Sequence, residues 1–127
     1  MKKGFTLLEL IIVIIILGVL ATLGMTQYTK VVEKGRTAEA RMILGQLRTA
    51  QRAYNLERGS YADIANLSVE APTSCTSTHF FNYSCSSSNG TCTAYRCTSG
   101  GKTPNAATSY NISLDINGTW SGTPGYY

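Results

Sequence analysis

The chemistry-bearing residues of this chain gather at its start, in Lys2-Lys3-Gly4-Phe5-Thr6-Leu7-Leu8-Glu9. Two cations and a glycine precede an apolar stretch that runs to Leu23, and Glu9 lies near the beginning of that stretch. An ionised carboxylate at membrane depth costs at least about 3 kcal/mol unless it finds a partner, so an acid in such a segment is a functional residue by default. From Gly4 to Thr29 Glu9 is the one charged side chain. Lys30, the next cation along the chain, stands roughly between five and six helical turns away, so no later cation in the chain is near enough to pair with it.

The elements that must position Glu9 follow from the apolar run. About 20 consecutive, mostly apolar residues suffice to cross roughly 30 Å of hydrocarbon as a helix. Lys2 and Lys3 hold the short N-terminus in the cytoplasm and send everything after Tyr28 outward. A cleaved secretory signal fits poorly, because the run is long, an acid interrupts it and no small-x-small cleavage site follows Leu23. A plain signal anchor fits the length but gives no reason for Glu9.

Beyond Lys30 charges appear while the helical spacing persists. Ala40, Ile43, Leu44, Leu47, Ala50 and Tyr54 recur at steps of three and four, the signature of one apolar face. Arg41, Arg48, Arg52 and Asn55 fall on the other side. Arg58-Gly59 supplies a terminal cation and a glycine stop. One helix is expected from about Phe5 to Glu57, apolar all round at first and striped afterwards, with the stripe docking a sheet.

Four cysteines, Cys75, Cys85, Cys92 and Cys97, all lie in the last half of the 127-residue chain. A remainder of roughly 70 residues buries too little surface to be comfortable without staples. An even cysteine count in a small, loop-rich segment reads as two disulfides in an oxidising compartment, which agrees with the expected topology. The spacings match no common zinc pattern and His79 does not complete one, so no metal is expected. Strands are expected at 79–85, 91–97 and 110–116, with a return strand starting at Thr119 after the Asn117-Gly118 turn. A hairpin closing on 86–90 sets Cys85 opposite Cys92 and leaves Cys97 for Cys75. The pairing Cys75–Cys85 with Cys92–Cys97 stays open, since four cysteines allow three connectivities. The fold class expected is α+β: a long N-terminal helix carrying a small antiparallel sheet as a head.

The segment Lys3-Gly4-Phe5-Thr6-Leu7-Leu8-Glu9 resembles the class III signal of the type IV pilin family, which includes the pseudopilins of type II secretion. The resemblance is specific over residues 2 to about 24 and looser over the rest. It implies a leader of residues 1–4, a membrane and filament-core helix over 5–29, its amphipathic continuation over 30–58 and a head over 59–127. It implies that a prepilin peptidase cuts between Gly4 and Phe5 and methylates the new amine of Phe5. Glu9 then matches the assembly glutamate, which pairs with the Phe5 ammonium of a neighbouring subunit. The partners implied are copies of the same chain in a helical filament, the peptidase, an inner-membrane assembly platform and the lipid bilayer before assembly. Inner membrane first and extracellular pilus afterwards is the implied itinerary, with adhesion, motility or DNA uptake as filament roles. Family members often carry Pro at the position of Thr26; here Gly18 and Gly24 are the candidates for local helix melting.

Two rival readings share the architecture. A pseudopilin is disfavoured by four cysteines and by an Asp115 too isolated for a calcium site. A minor pilin that binds DNA or a surface needs a basic patch, for which Arg96 and Lys102 are the thin candidates. The formal charge of +4, half of it from Lys2 and Lys3, is too small to argue for nucleic acid. No nucleophile–base pair, phosphate loop or carboxylate dyad is present, so neither enzyme nor cofactor is expected. His79 beside Phe80 and Phe81 reads as a sheet residue. Asn66, Asn82, Asn89, Asn111 and Asn117 each begin an N-x-S/T triplet, which a segment so rich in Asn, Ser and Thr produces by chance.

Overall fold

The apolar run and the striped run that follows it form a single helix, α1, at Leu7–Arg58. These bounds come from a computed structural model that describes residues 2–127. Phe5 and Thr6, expected inside the helix, stand before it, because the Thr6 side chain caps the first turn instead of extending it. Gly59, at φ +71°, ends α1 with a left-handed residue whose N–H donates to the Asn55 carbonyl at 2.7 Å.

By its contacts the chain divides into two compact units, residues 1–35 and 36–127. Within the first, the side chains from Leu7 to Leu23 are exposed all round, Leu17 for example by 59%. No residue of its most apolar window is buried, and the segment is long and apolar enough to cross a membrane.

In the second unit a four-stranded antiparallel sheet packs on the later turns of α1. Its strands are β1 (Phe81–Cys85), β2 (Cys92–Arg96), β3 (Asn111–Leu114) and β4 (Trp120–Gly122), in the spatial order of the chain. Side chains alternate across a strand, so one face collects Phe81 and Tyr83, Cys92 and Ala94, and Ile112 and Leu114. These close over Ala40, Ile43, Leu44 and Leu47 of α1, with Tyr110 completing the core. Ala50 and Tyr54, expected in the same stripe, are only half-buried. Gln51 takes the fully buried position, donating to the Ala62 carbonyl at 2.6 Å and accepting from the Ala62 N–H at 3.0 Å. A buried amide so satisfied ties the helix to the connector that follows it.

The strands are shorter than the sequence suggested. β1 starts at Phe81, because the Phe80 N–H donates to the Glu39 carboxylate of α1 at 2.9 Å rather than to a neighbouring strand. β3 ends at Leu114, because Asp115 turns the chain and accepts the Thr119 N–H on its carboxylate at 2.8 Å. The arginines of α1 depart further from expectation. Arg48 donates to the Ile116 carbonyl at 3.0 Å, and Arg41 stacks its guanidinium on Trp120 at 5.6 Å. Long side chains flanking an apolar stripe reach over its edge and grip the sheet, so these two do not simply face away.

Candidate assembly site

Thr6 and Glu9 form a reciprocal cap at the start of α1. The Thr6 N–H donates to Glu9 Oε2 at 2.8 Å and its hydroxyl reaches the same oxygen at 3.1 Å. In return the Glu9 N–H donates to Thr6 Oγ1 at 3.2 Å. This is a capping box, in which two otherwise orphaned helix donors are satisfied by each other's side chains. Its signal in the sequence, absent from the expectations above, is the Thr-x-x-Glu spacing of Thr6 and Glu9. Within one chain, therefore, the acid has neutral partners but no countercharge from them.

Its surroundings are apolar. A recess of about 500 Å³ is lined by Phe5, Glu9, Leu10, Ile12 and Val13, and Phe5 is 89% exposed. Gly4, Phe5 and Glu9 thus sit together at one end of the apolar helix, with the Gly4–Phe5 bond outside regular structure. Gly18 and Gly24 lie within an unbroken α1, and nothing in the chain approaches the place a Cβ would occupy at either. The Thr22 hydroxyl donates to the Gly18 carbonyl at 2.6 Å. Internal packing therefore requires glycine at neither position.

In the second unit, disulfides join Cys85 to Cys92 across the β1–β2 pair and Cys75 to Cys97, with Cα separations of 4.1 and 5.8 Å. The basic pair considered for nucleic acid is not a surface patch. Arg96 is buried, and its guanidinium donates to the carbonyls of Phe80, Cys97 and Thr103. Lys102 lies over the Phe80 ring at 4.9 Å, so one of the two cations is spent on internal structure. His79 precedes β1, with Nδ1 at 2.9 Å from the Thr78 hydroxyl, rather than lying in a strand. Among the described residues no group of three or more His, Cys, Asp or Glu could hold a metal ion.

The Tyr83 hydroxyl is buried without a hydrogen-bond partner. Burial, with a smaller contribution from the Glu39 carboxylate, pushes its phenol well above the usual tyrosine range.

An exposed apolar helix with an acid in its first turn, followed along the chain by a disulfide-stapled sheet, defines a membrane-capable protein whose apolar N-terminal surface is uncovered among the described residues. Comparison with known proteins finds partial likenesses for this class. Residues 1–25 match the prokaryotic N-terminal methylation motif. The chain is 38% identical over 65 residues to the type IV major pilin protein PilA of Myxococcus xanthus, covering 51% of this chain and 30% of that one. It is 40% identical over 50 residues to the type IV major fimbrial protein FimA of Dichelobacter nodosus, covering 39% and 32%. To the type IV major pilin of Neisseria gonorrhoeae it is 32% identical over 74 residues, covering 58% and 35%. The matches to these curated relatives span about a third of their length. Over its N-terminal part the chain is thus similar to type IV pilins and fimbrial proteins.

Proposed function

We propose that this chain is a structural subunit that polymerises into a type IV pilus. The observation that carries the reading is an apolar helix exposed on every side with a single carboxylate at its start. Such a surface is stable in lipid or against copies of itself, and the carboxylate is costly in both until a countercharge arrives. In this reading a prepilin peptidase cuts between Gly4 and Phe5 at the cytoplasmic face and methylates Phe5. The new ammonium of one subunit then meets Glu9 of its neighbour. The Thr6 cap holds Glu9 before that meeting, and a full charge on the incoming amine outweighs the neutral donors it joins or displaces.

The lipid bilayer shelters residues 5–29 before assembly, and an inner-membrane platform delivers the subunit to the filament. Pairing inside a low-dielectric bundle enforces register, because a misplaced subunit leaves two unpaired charges. Gly18 and Gly24 are the places where the helix yields if packing demands it. The head over residues 59–127 forms the outer surface, and the subunit performs no catalytic step. Electron microscopy of sheared surface filaments, with the chain present, deleted or carrying Glu9→Ala, tests the reading. Filaments containing the chain are expected only with Glu9 intact, and wild-type filament numbers from Glu9→Ala overturn the charge-pairing step.

A further inference from the structure

A second recess, of about 410 Å³, opens where the last turns of α1 meet the connector and the β3–β4 turn; it is lined by Arg52, Asn55, Leu56, Tyr61, Ile116 and Asn117. Its volume is in the range of small-molecule sites. Its chemistry differs from the common apolar pocket, because four of the six side chains carry polar groups. Among the described residues, the Arg52 guanidinium, the Asn55 and Asn117 amides and the Tyr61 hydroxyl have no side-chain hydrogen bond or ion pair within the chain. Leu56, at 87% exposure, adds an apolar group to the rim that the core does not use.

While these side chains are uncommitted, the backbone carrying them is held firmly. Ala62, beside Tyr61, is pinned by both hydrogen bonds from buried Gln51. The Tyr61 ring lies so close to Gly90 that a Cβ there would stand 2.7 Å from it. Ile116 is fixed by Arg48 through its carbonyl, and Asn117 lies in a turn closed by the Gly118 N–H on the Asp115 carbonyl at 3.1 Å and the Thr119 N–H on the Asp115 carboxylate at 2.8 Å. Arg52, Asn55 and Leu56 share one face of α1 by their three- and four-residue spacing. Fixed walls bearing free polar groups are the arrangement that binding sites use to limit the entropy lost on binding.

We propose that this recess binds an acidic sugar, a pyranose bearing a carboxylate. Arg52 is the one charged side chain in the lining, and its planar fork matches a carboxylate bidentately. Each asparagine amide offers both donors and an acceptor, which suits vicinal hydroxyls. The Tyr61 ring with Leu56 and Ile116 supplies apolar surface for the C–H face of the ring. A purely apolar ligand would strand the polar groups, and a bare inorganic anion would leave the apolar surface of Leu56, Tyr61 and Ile116 unused. The site lies wholly within residues 52–117 and is tested on the unassembled chain, so it stands or falls separately from filament formation.

The experiment is a titration of the full-length chain in detergent micelles, with nuclear magnetic resonance reporting the Arg52 Nε–H and the Asn55 and Asn117 side-chain amides. The probes are glucuronate, glucose, acetate and sulfate, each alone. Glucuronate is expected to give saturable shifts in all three groups and to bind about tenfold more tightly than glucose, as loss of one charged hydrogen-bonding contact requires. Arg52→Ala, at an exposed position without internal partners, is expected to erase that preference while preserving the spectrum of the fold. Asn55→Ala is expected to weaken both sugars alike. Acetate or sulfate binding as tightly as glucuronate overturns the sugar assignment. Absence of saturable shifts, or glucuronate binding unchanged by Arg52→Ala, overturns the site.

Discussion

Leu17 and Leu47 lie in the same helix and are the same residue type, yet one is 59% exposed and the other fully buried. The first belongs to an apolar segment with no internal cover, the second to a stripe closed over by a sheet. A helix that is apolar on every face needs a surrounding apolar medium, whereas a single stripe needs only one partner surface. The first half is therefore specified for an environment outside the chain, and the second for the chain itself. This division is why the head can be stapled and satisfied internally while the N-terminal segment keeps one acid near its exposed end.

The largest effect that would break the comparison is at Glu9. Glu9→Ala is expected to abolish filaments and leave the urea unfolding midpoint of the head unchanged; a shift in that midpoint would show that the two regions are not independent. Next come the paired leucines. Leu47→Ala is expected to destabilise the head by about 3 kcal/mol, as filled core positions do, and Leu17→Ala to leave head unfolding unaltered, both read from urea curves in micelles.

The disulfides sharpen the comparison from the side of the unfolded chain. Their sequence separations are 22 and 7 residues, so loss of Cys75–Cys97 is expected to cost about 3 kcal/mol and loss of Cys85–Cys92 about 2 kcal/mol by loop entropy. Thermal melts of the paired Cys→Ser variants check the order. Gln51→Leu strands both polar groups of Ala62 and is expected to cost about 2 kcal/mol in the same assay.

The smallest effect concerns Tyr83. Its buried hydroxyl lacks a partner, so Tyr83→Phe is expected to be neutral or to stabilise by up to about 1 kcal/mol. The folded phenol titrates above the ordinary value of 10.0, so the unfolded chain loses its proton first. Stability is therefore retained below that pH and falls as pH rises above it, and the fall should be shallower in Tyr83→Phe. Urea midpoints measured on either side of the ordinary tyrosine pKa read this directly.

How much of this was legible in the sequence varies with the range of the interaction. The long helix, its change from apolar to striped, the four strands and the Asn117-Gly118 turn all follow from periods and turn residues, which are local. The ends of β1 and β3 did not, because they depend on Glu39 and Asp115 capturing particular N–H groups. Gln51 was hidden by its type: a polar residue on an apolar stripe is buried only if a distant backbone satisfies it. The Thr6–Glu9 cap is encoded in the local Thr-x-x-Glu spacing, whereas a countercharge for Glu9 is not encoded locally at all. Arg96 read as surface charge until the fold surrounded it with three carbonyls.

The sequence by itself determined a membrane-capable helix with one acid and a C-terminal part rich in cysteine, because composition and spacing within a few turns fix those features. The tertiary structure alone decided which polar groups are spent and which remain free. It consumed Arg96, Arg48 and Gln51 in internal hydrogen bonds and left Arg52, Asn55 and Asn117 facing a recess. That outcome depends on residues up to 68 positions apart meeting in space, and no local pattern encodes such a meeting.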